Sequence, residues 1–269
     1  MDITTENEMI LDKWKEKSLK EEKLEIVRDG ILYKGEIVYR DNGCWEREPG
    51  DEAEIWHNAN PRILVITKDM NDDAVEDLRI ETGRKNHSGK NCITINGPFH
   101  RKYLAIVYAL THTTAEQICP PLNKVSEVDL LQCFDNTPMA RINAKKQNGG
   151  PKLEYHILNK YIKDYGDLLK QQIDNLDADI LVCSCCNTSH YEEPSFNPFI
   201  IFLNKHGYNF EPFNKEDNWI YYDEVHNKIA INTYHPSCTR LTLDYLDEMS
   251  KDYRNFLIAH PNVFKKNKR

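Results

Sequence analysis

The sequence predicts a three-layer α/β/α sandwich built on a central, mostly parallel sheet. Short apolar runs at residues 62–66, 180–183 and 229–231 have strand length and are rich in β-branched residues. Unbroken apolar runs of this kind fit parallel strands covered on both faces. Between the runs lie stretches with helical periodicity at 98–112, 152–176 and 194–206, so strands alternate with helices. Hydrophobic content of 40% with 29% charged residues belongs to a globular chain, and 269 residues suffice for a sizeable core.

The run at 229–231 leads into Asn232-Thr233-Tyr234-His235-Pro236-Ser237. Pro236 cannot continue a sheet ladder, so His235 lies just beyond the end of a buried strand. In open α/β sheets that edge is where ligands bind. Taken alone, His235 reads more readily as a surface histidine in a turn than as a site residue.

In chain order, residues 1–29 are dense in Glu and Lys with widely spaced Trp14, Leu19, Leu24 and Ile26, which reads as a helical arm. Residues 30–40 read as a small hairpin with Gly35 in or near its turn, and 41–60 as a polar loop. Together, 1–60 form an N-terminal extension to a domain spanning 61–260, and 261–269 a basic tail whose Lys-rich end after Phe264 reads as frayed. The strand at 62–66 ends in Thr67-Lys68-Asp69-Met70. Asp69 either points into a cleft or caps a following helix. The long polar insertion 71–97 is of the kind that is functional or disordered. Pro98 suits the first turn of the helix 98–112, and Phe99 at its start is placed to face a cleft. Residues 129–134 read as a strand or its approach, followed by a polar loop to 150. In that loop Asn143 offers both a donor and an acceptor, which suits a nucleobase edge or a turn. The helix 152–176 reads as interrupted near Gly166. Residues 219–223 form a further strand beside 229–231, and 241–260 a closing helix. Cys183, Cys185 and Cys186 with His190 lack the second cysteine pair of a zinc site, so buried thiols and no metal or cofactor are expected.

This ordered set resembles the uracil-DNA glycosylase superfamily over residues 60–255. Val65-Ile66-Thr67-Lys68-Asp69-Met70 is similar to its first motif, an apolar strand ending in an acidic turn. Pro98-Phe99 looks like the stretch that supplies a base-stacking aromatic. Arg141-Ile142-Asn143-Ala144-Lys145-Lys146 resembles the strand end bearing a base-reading Asn, and Thr233-Tyr234-His235-Pro236-Ser237 the last motif. Thr67 and Met70 replace the usual Gly and Pro, and the insertion after Asp72 is longer than usual.

The resemblance implies a DNA glycosylase acting on a flipped-out base. Asp69 would orient water and stabilise the sugar cation, and His235 would donate to the leaving base. Phe99 would stack on the base and Asn143 read its edge. Lys68, Lys145, Lys146, Ser237 and Arg240 are candidates for DNA phosphates. The altered first motif and long insertion favour a modified pyrimidine, such as glucosylated hydroxymethylcytosine in phage DNA, over plain uracil. Such a substrate would put the chain in antiviral defence, with host repair the alternative.

A formal net charge of −8 excludes a uniformly basic coat but not a local basic groove. No apolar run reaches bilayer-spanning length, and residues 1–22 lack the apolar core of a signal peptide. The expectation is therefore a cytoplasmic monomer with reduced thiols and DNA as partner, without a membrane partner. Two rivals remain: a nucleic-acid-binding module of the same fold without catalysis, and a thiol or zinc hydrolase using Cys183 to Cys186 with His235.

Overall fold

The computed structural model describes residues 2–41, 43, 45–70, 77–83, 98–147, 154–185, 197–216, 218–238 and 243–265. The elements begin with helix α1 (Ile3–Glu21), strands β1 (Gly30–Ile31), β2 (Ile37–Tyr39) and β3 (Trp45–Arg47), and helix α2 (Glu52–Asn58). Strand β4 (Ile63–Thr67), α3 (Pro98–His112), α4 (Glu127–Asn136), β5 (Met139–Asn143), α5 (Tyr155–Leu176) and β6 (Ile180–Ser184) follow. The chain closes with α6 (Pro198–Lys205), β7 (Glu211–Pro212), β8 (Ile220–Asp223), β9 (Lys228–Thr233) and α7 (Asp244–Ala259).

The main sheet has seven strands in the order β1-β5-β4-β6-β9-β8-β7. Its inner four, β5-β4-β6-β9, are parallel, and antiparallel strands extend both edges. The three apolar runs identified in the sequence are all interior strands, as continuous burial on both faces requires. Alternate residues feed two separate cores. Ile63, Val65, Ile180, Val182, Ile229 and Ile231 meet α3, α4 and α7. Leu64, Ile66, Leu181, Cys183 and Ala230 meet α1, α2, α5 and α6. The protein is thus α/β, with a mostly parallel central sheet between two helical layers.

Several expectations are corrected. Residues 129–134 belong to helix α4, not a strand: Ser126 Oγ accepts from the Asp129 N–H at 3.1 Å, and Leu130 and Phe134, four apart, are buried together. The strand falls instead at β5, inside the expected loop. Its Arg141 and Asn143 mask it in a hydropathy reading, yet every residue of it is buried. The expected hairpin at 30–40 splits. β1 joins β5 in the main sheet, while β2 pairs with β3 around Gly43, whose φ is +80°. β3 and α2 occupy part of the stretch read as a loop. Helix α5 runs unbroken through Gly166, where an added Cβ would stand 3.2 Å from the Phe202 ring, so glycine serves the approach of α6.

Gly35 is a close-approach glycine, not the hairpin turn. A Cβ there would lie 2.5 Å from the Glu48 carbonyl oxygen and 2.6 Å from that of Pro49, both backbone atoms that cannot swing aside. Gly35→Ala is expected to lower unfolding free energy by about 1–3 kcal/mol, the usual cost of overpacking. A urea midpoint equal to that of the unaltered protein would show that the β2–β3 ribbon yields freely.

Residues of the N-terminal arm pack into the sandwich. Trp14 on α1 stacks on Tyr165 of α5 with centroids 5.4 Å apart. Lys146 then bridges inward, its amine 4.8 Å from the Trp14 ring. Among the described residues no helix is long and apolar enough to cross a membrane.

Candidate active site

The register of the parallel strands aligns their carboxyl ends. Thr67 lies opposite Asn143, and Ser184 opposite Thr233. The residues that follow therefore emerge along one edge. Two more parallel-type hydrogen bonds continue past the strands, from Ala144 N to Thr67 O at 2.9 Å and from Lys145 N to Lys68 O at 2.8 Å. They hold the segment 67–69 beside 143–145.

Asp69 is almost buried, with a side chain 10% exposed, and its Oδ2 lies 3.9 Å from Lys145 Nζ. Burial raises its pKa to about 6, and Lys145 and Lys68 only partly oppose this. The group is a carboxylate at neutral pH that takes up a proton readily below it.

His235 is tuned the other way. Burial, helped by the charges of Lys68 and Arg141, lowers its pKa to about 3, so the imidazole is neutral. The Ser237 N–H donates to His235 Nδ1 at 3.3 Å. A ring nitrogen that accepts carries no proton, so the proton resides on Nε2. Nε2 is buried without a hydrogen-bond partner among the described residues. Lys102 on α3 braces the same loop through a hydrogen bond from its amine to the Cys238 carbonyl.

Between these two groups lie Arg141 and Phe99. The Arg141 guanidinium is 4.6 Å from the Phe99 ring centroid and 5.4 Å from that of Tyr103, and Nη2 reaches Met70 Sδ at 3.6 Å. Phe99 in turn lies 5.8 Å from the His235 ring. A chain of contacts thus runs from the Asp69 turn through Met70, Arg141 and Phe99 to His235. Arg141 was not singled out from the sequence; the signal available was its alternation with Met139 and Asn143 on one face of β5.

Asn143 is wholly buried, and its Oδ1 accepts from the Thr67 hydroxyl, leaving Nδ2 without a partner among the described residues. Turning the amide over exchanges the two atoms but still leaves one unpaired. A buried, half-satisfied amide at a strand end is costly unless something else uses it.

The lysines behave differently from the expectation of phosphate contacts. Lys146 has no exposed side chain, and its amine donates to Asp29 Oδ1 at 2.7 Å, Asp29 Oδ2 at 2.6 Å and Gln172 Oε1 at 2.7 Å. All three ammonium protons are engaged within the interior, so Lys146 does not meet DNA as the sequence led one to expect. Lys145 is also buried and faces Asp69, not solvent. Lys68 is partly buried, with its amine 5.3 Å from the Tyr155 ring, and Ser237 is exposed beside His235. Arg240 and the insertion, apart from residues 77–83, lie outside the described residues, as do Cys186 and His190. Cys183 and Cys185 are buried thiols outside any disulfide, with burial pushing the Cys183 thiol well above the ordinary range, and no metal-holding group of side chains occurs among the described residues.

The Lys146–Asp29 pair has a further part in the site. Asp29 Oδ2 also accepts from the Asn143 N–H at 2.8 Å, and Gln172 Nε2 donates to Asp29 Oδ1 at 2.8 Å. The N-terminal arm therefore clamps the strand end that carries Asn143. No property of Asp29 in the sequence points to this.

A cleft of about 540 Å³ lies elsewhere, between the starts of α1 and α2. Its charged groups serve the fold: Arg79 pairs with Asp77 and Glu8, and Glu52 accepts from the N–H groups of Lys34 and Gly50. The chemically tuned residues are at the carboxyl edge.

Together these features describe an α/β protein with a buried carboxylate, a neutral donor imidazole and the basic side chains of Lys68, Arg141 and Lys145 along one sheet edge. No protein-family model matches the chain, and no curated protein matches it.

Proposed function

We propose that this protein is a DNA glycosylase of the uracil-DNA glycosylase type, hydrolysing the N-glycosidic bond of a flipped-out base. One observation carries the reading: Asp69 and His235 belong to one carboxyl-edge cluster, with ionisation shifted in opposite directions. Breaking the bond builds positive charge on the sugar and negative charge on the base. An ionised Asp69 stabilises the first and orients the attacking water. His235 donates its Nε2 proton in a hydrogen bond to the second, and a neutral imidazole does so without first repelling Lys68 and Arg141. The unpaired amide of Asn143 suits the edge of a base, and Phe99 its face. Lys68, Ser237 and Arg240 are the remaining candidates for phosphates. The positive surroundings of the site favour an anionic substrate despite the acidic chain.

The favoured base is a hypermodified pyrimidine, such as glucosylated hydroxymethylcytosine in phage DNA, with uracil as the simpler alternative. The protein would then act in antiviral defence as a cytoplasmic monomer. The rival reading is a DNA-binding module without catalysis. Mass spectrometry of bases released from glucosylated, uracil-containing and unmodified DNA separates them: glucosylated base in the supernatant is expected, and silence on all three substrates rejects the enzyme reading.

The rate should also depend on pH in a particular way. Activity is expected to fall below about pH 6 as Asp69 takes up a proton. His235, with its pKa near 3, contributes no limb in that range. His235→Ala should lower the rate yet keep the limb. A limb that disappears with His235 would reverse the two roles.

A further inference from the structure

We propose a second activity at the same edge: Lys145 acts as the amine of an abasic-site lyase, cutting the strand that base excision leaves behind. The inference rests on the glycosylase reading, because it takes Asp69 as the group facing the sugar.

A surface lysine is protonated and strongly hydrated, and so a poor nucleophile. Lys145 is 6% exposed, and its amine donates to the Gln147 carbonyl at 2.7 Å. It lies 5.3 Å from the Tyr161 ring centroid and 3.9 Å from Asp69 Oδ2. Burial favours its neutral form, against the pull of Asp69. Three other amines, two buried and one half-buried, are placed for structure. Lys146 is held by Asp29 and Gln172, Lys102 by the Cys238 carbonyl, and Lys34 by the carbonyls of Phe134 and Asp135. Lys145 is the one among these four whose neighbouring carboxylate is Asp69, the group placed at the sugar. The backbone bond from Lys145 N to Lys68 O at 2.8 Å fixes that adjacency.

An amine beside a carboxylate is what the chemistry needs. An abasic sugar opens to an aldehyde at C1′. The neutral amine of Lys145 adds to it, water leaves, and a C1′–N iminium forms. Asp69 then takes the C2′ proton. The electron pair of that C–H bond forms the C1′–C2′ enamine and then expels the 3′ phosphate, breaking the C3′–O bond. Water hydrolyses the imine, releasing an unsaturated aldehyde end and restoring the amine. No oxidant or reductant is consumed.

The test uses the full chain and a duplex containing one preformed abasic site, so it does not depend on which base is excised. Sodium borohydride is added to trap the imine, and binding to the same duplex is followed by fluorescence anisotropy. A covalent adduct is expected, with peptide mapping of the unaltered protein placing it on Lys145. Without borohydride, the strand should be cut by β-elimination. Lys145→Met, with folding checked by its melting curve, should reduce the adduct to background. Binding without an adduct, or an adduct at any other amine, overturns the lyase and leaves the glycosylase reading standing. Failure to bind the duplex overturns both.

Discussion

Asp69→Asn is expected to lower base release by about a hundredfold or more, the usual cost of losing one preorganised electrostatic partner. DNA binding should change little, because the interaction grows only as the glycosidic bond breaks. The substitution keeps the shape of the side chain and removes the charge, so its effect isolates the electrostatic role. It should also stabilise the fold at neutral pH. The folded-state pKa of Asp69, about 6, lies above its ordinary value of 3.8. The native state therefore binds the proton more tightly than the unfolded chain. The contribution of Asp69 to stability falls as pH rises from about 4 to about 6, and at pH 7 the ionised group is a net cost. Neutralising it should recover about 1–2 kcal/mol, after discounting for residual solvent around the site. His235 works oppositely: its depressed pKa favours the native state above its ordinary value of 6.5, and that contribution is lost progressively as pH falls toward 3. Single-turnover excision and a melting curve of Asp69→Asn at pH 7 check both parts. An active and destabilised variant would contradict the assignment on both counts.

Lys146→Met is expected to have the largest effect on stability. It leaves Asp29 buried with its carboxylate uncompensated, and removing one partner of a buried ion pair costs about 3–5 kcal/mol. Against a typical total of about 5–15 kcal/mol, that is a substantial loss. Asp29→Asn together with Lys146→Met should cost less than the sum of the single changes, because each single change strands the other group. Chemical denaturation of the three variants measures the coupling. Additive losses would mean that the pair is not the interaction holding the arm. The same carboxylate oxygen receives the Asn143 N–H, so surviving Lys146→Met protein should also lose order at the end of β5. Faster amide exchange at Asn143 reports this directly.

The central strands were legible in the sequence because their burial is nearly complete on both faces. An unbroken apolar run fits that environment without needing partners for polar groups, so 62–66, 180–183 and 229–231 were recognisable from the sequence. Helix 98–112 was legible for a similar reason, its apolar period being set by one buried face. β5 was legible only through the resemblance at Arg141 to Lys146 and not from hydropathy, because its Arg141 and Asn143 are buried polar residues at a candidate site, where local rules fail most often. The short edge strands β1 and β3 were also hidden, since two or three residues carry no readable period.

Among site residues, the sequence by itself determined that Asp69 and His235 follow buried strands. A strand end is a local feature, marked by the change from apolar residues to polar ones and to Pro236. Only the tertiary structure decided which lysine does what. Lys145 and Lys146 are adjacent in the chain and chemically identical, yet one adjoins Asp69 and the other is enclosed by Asp29 and Gln172. Successive residues leaving a strand point in different directions, and their partners come from distant segments. Asp29 is 117 positions from Lys146 and Gln172 is 26. The ionisation of Asp69 and His235 was likewise set in three dimensions, because desolvation depends on everything packed around a group and not on its neighbours in sequence.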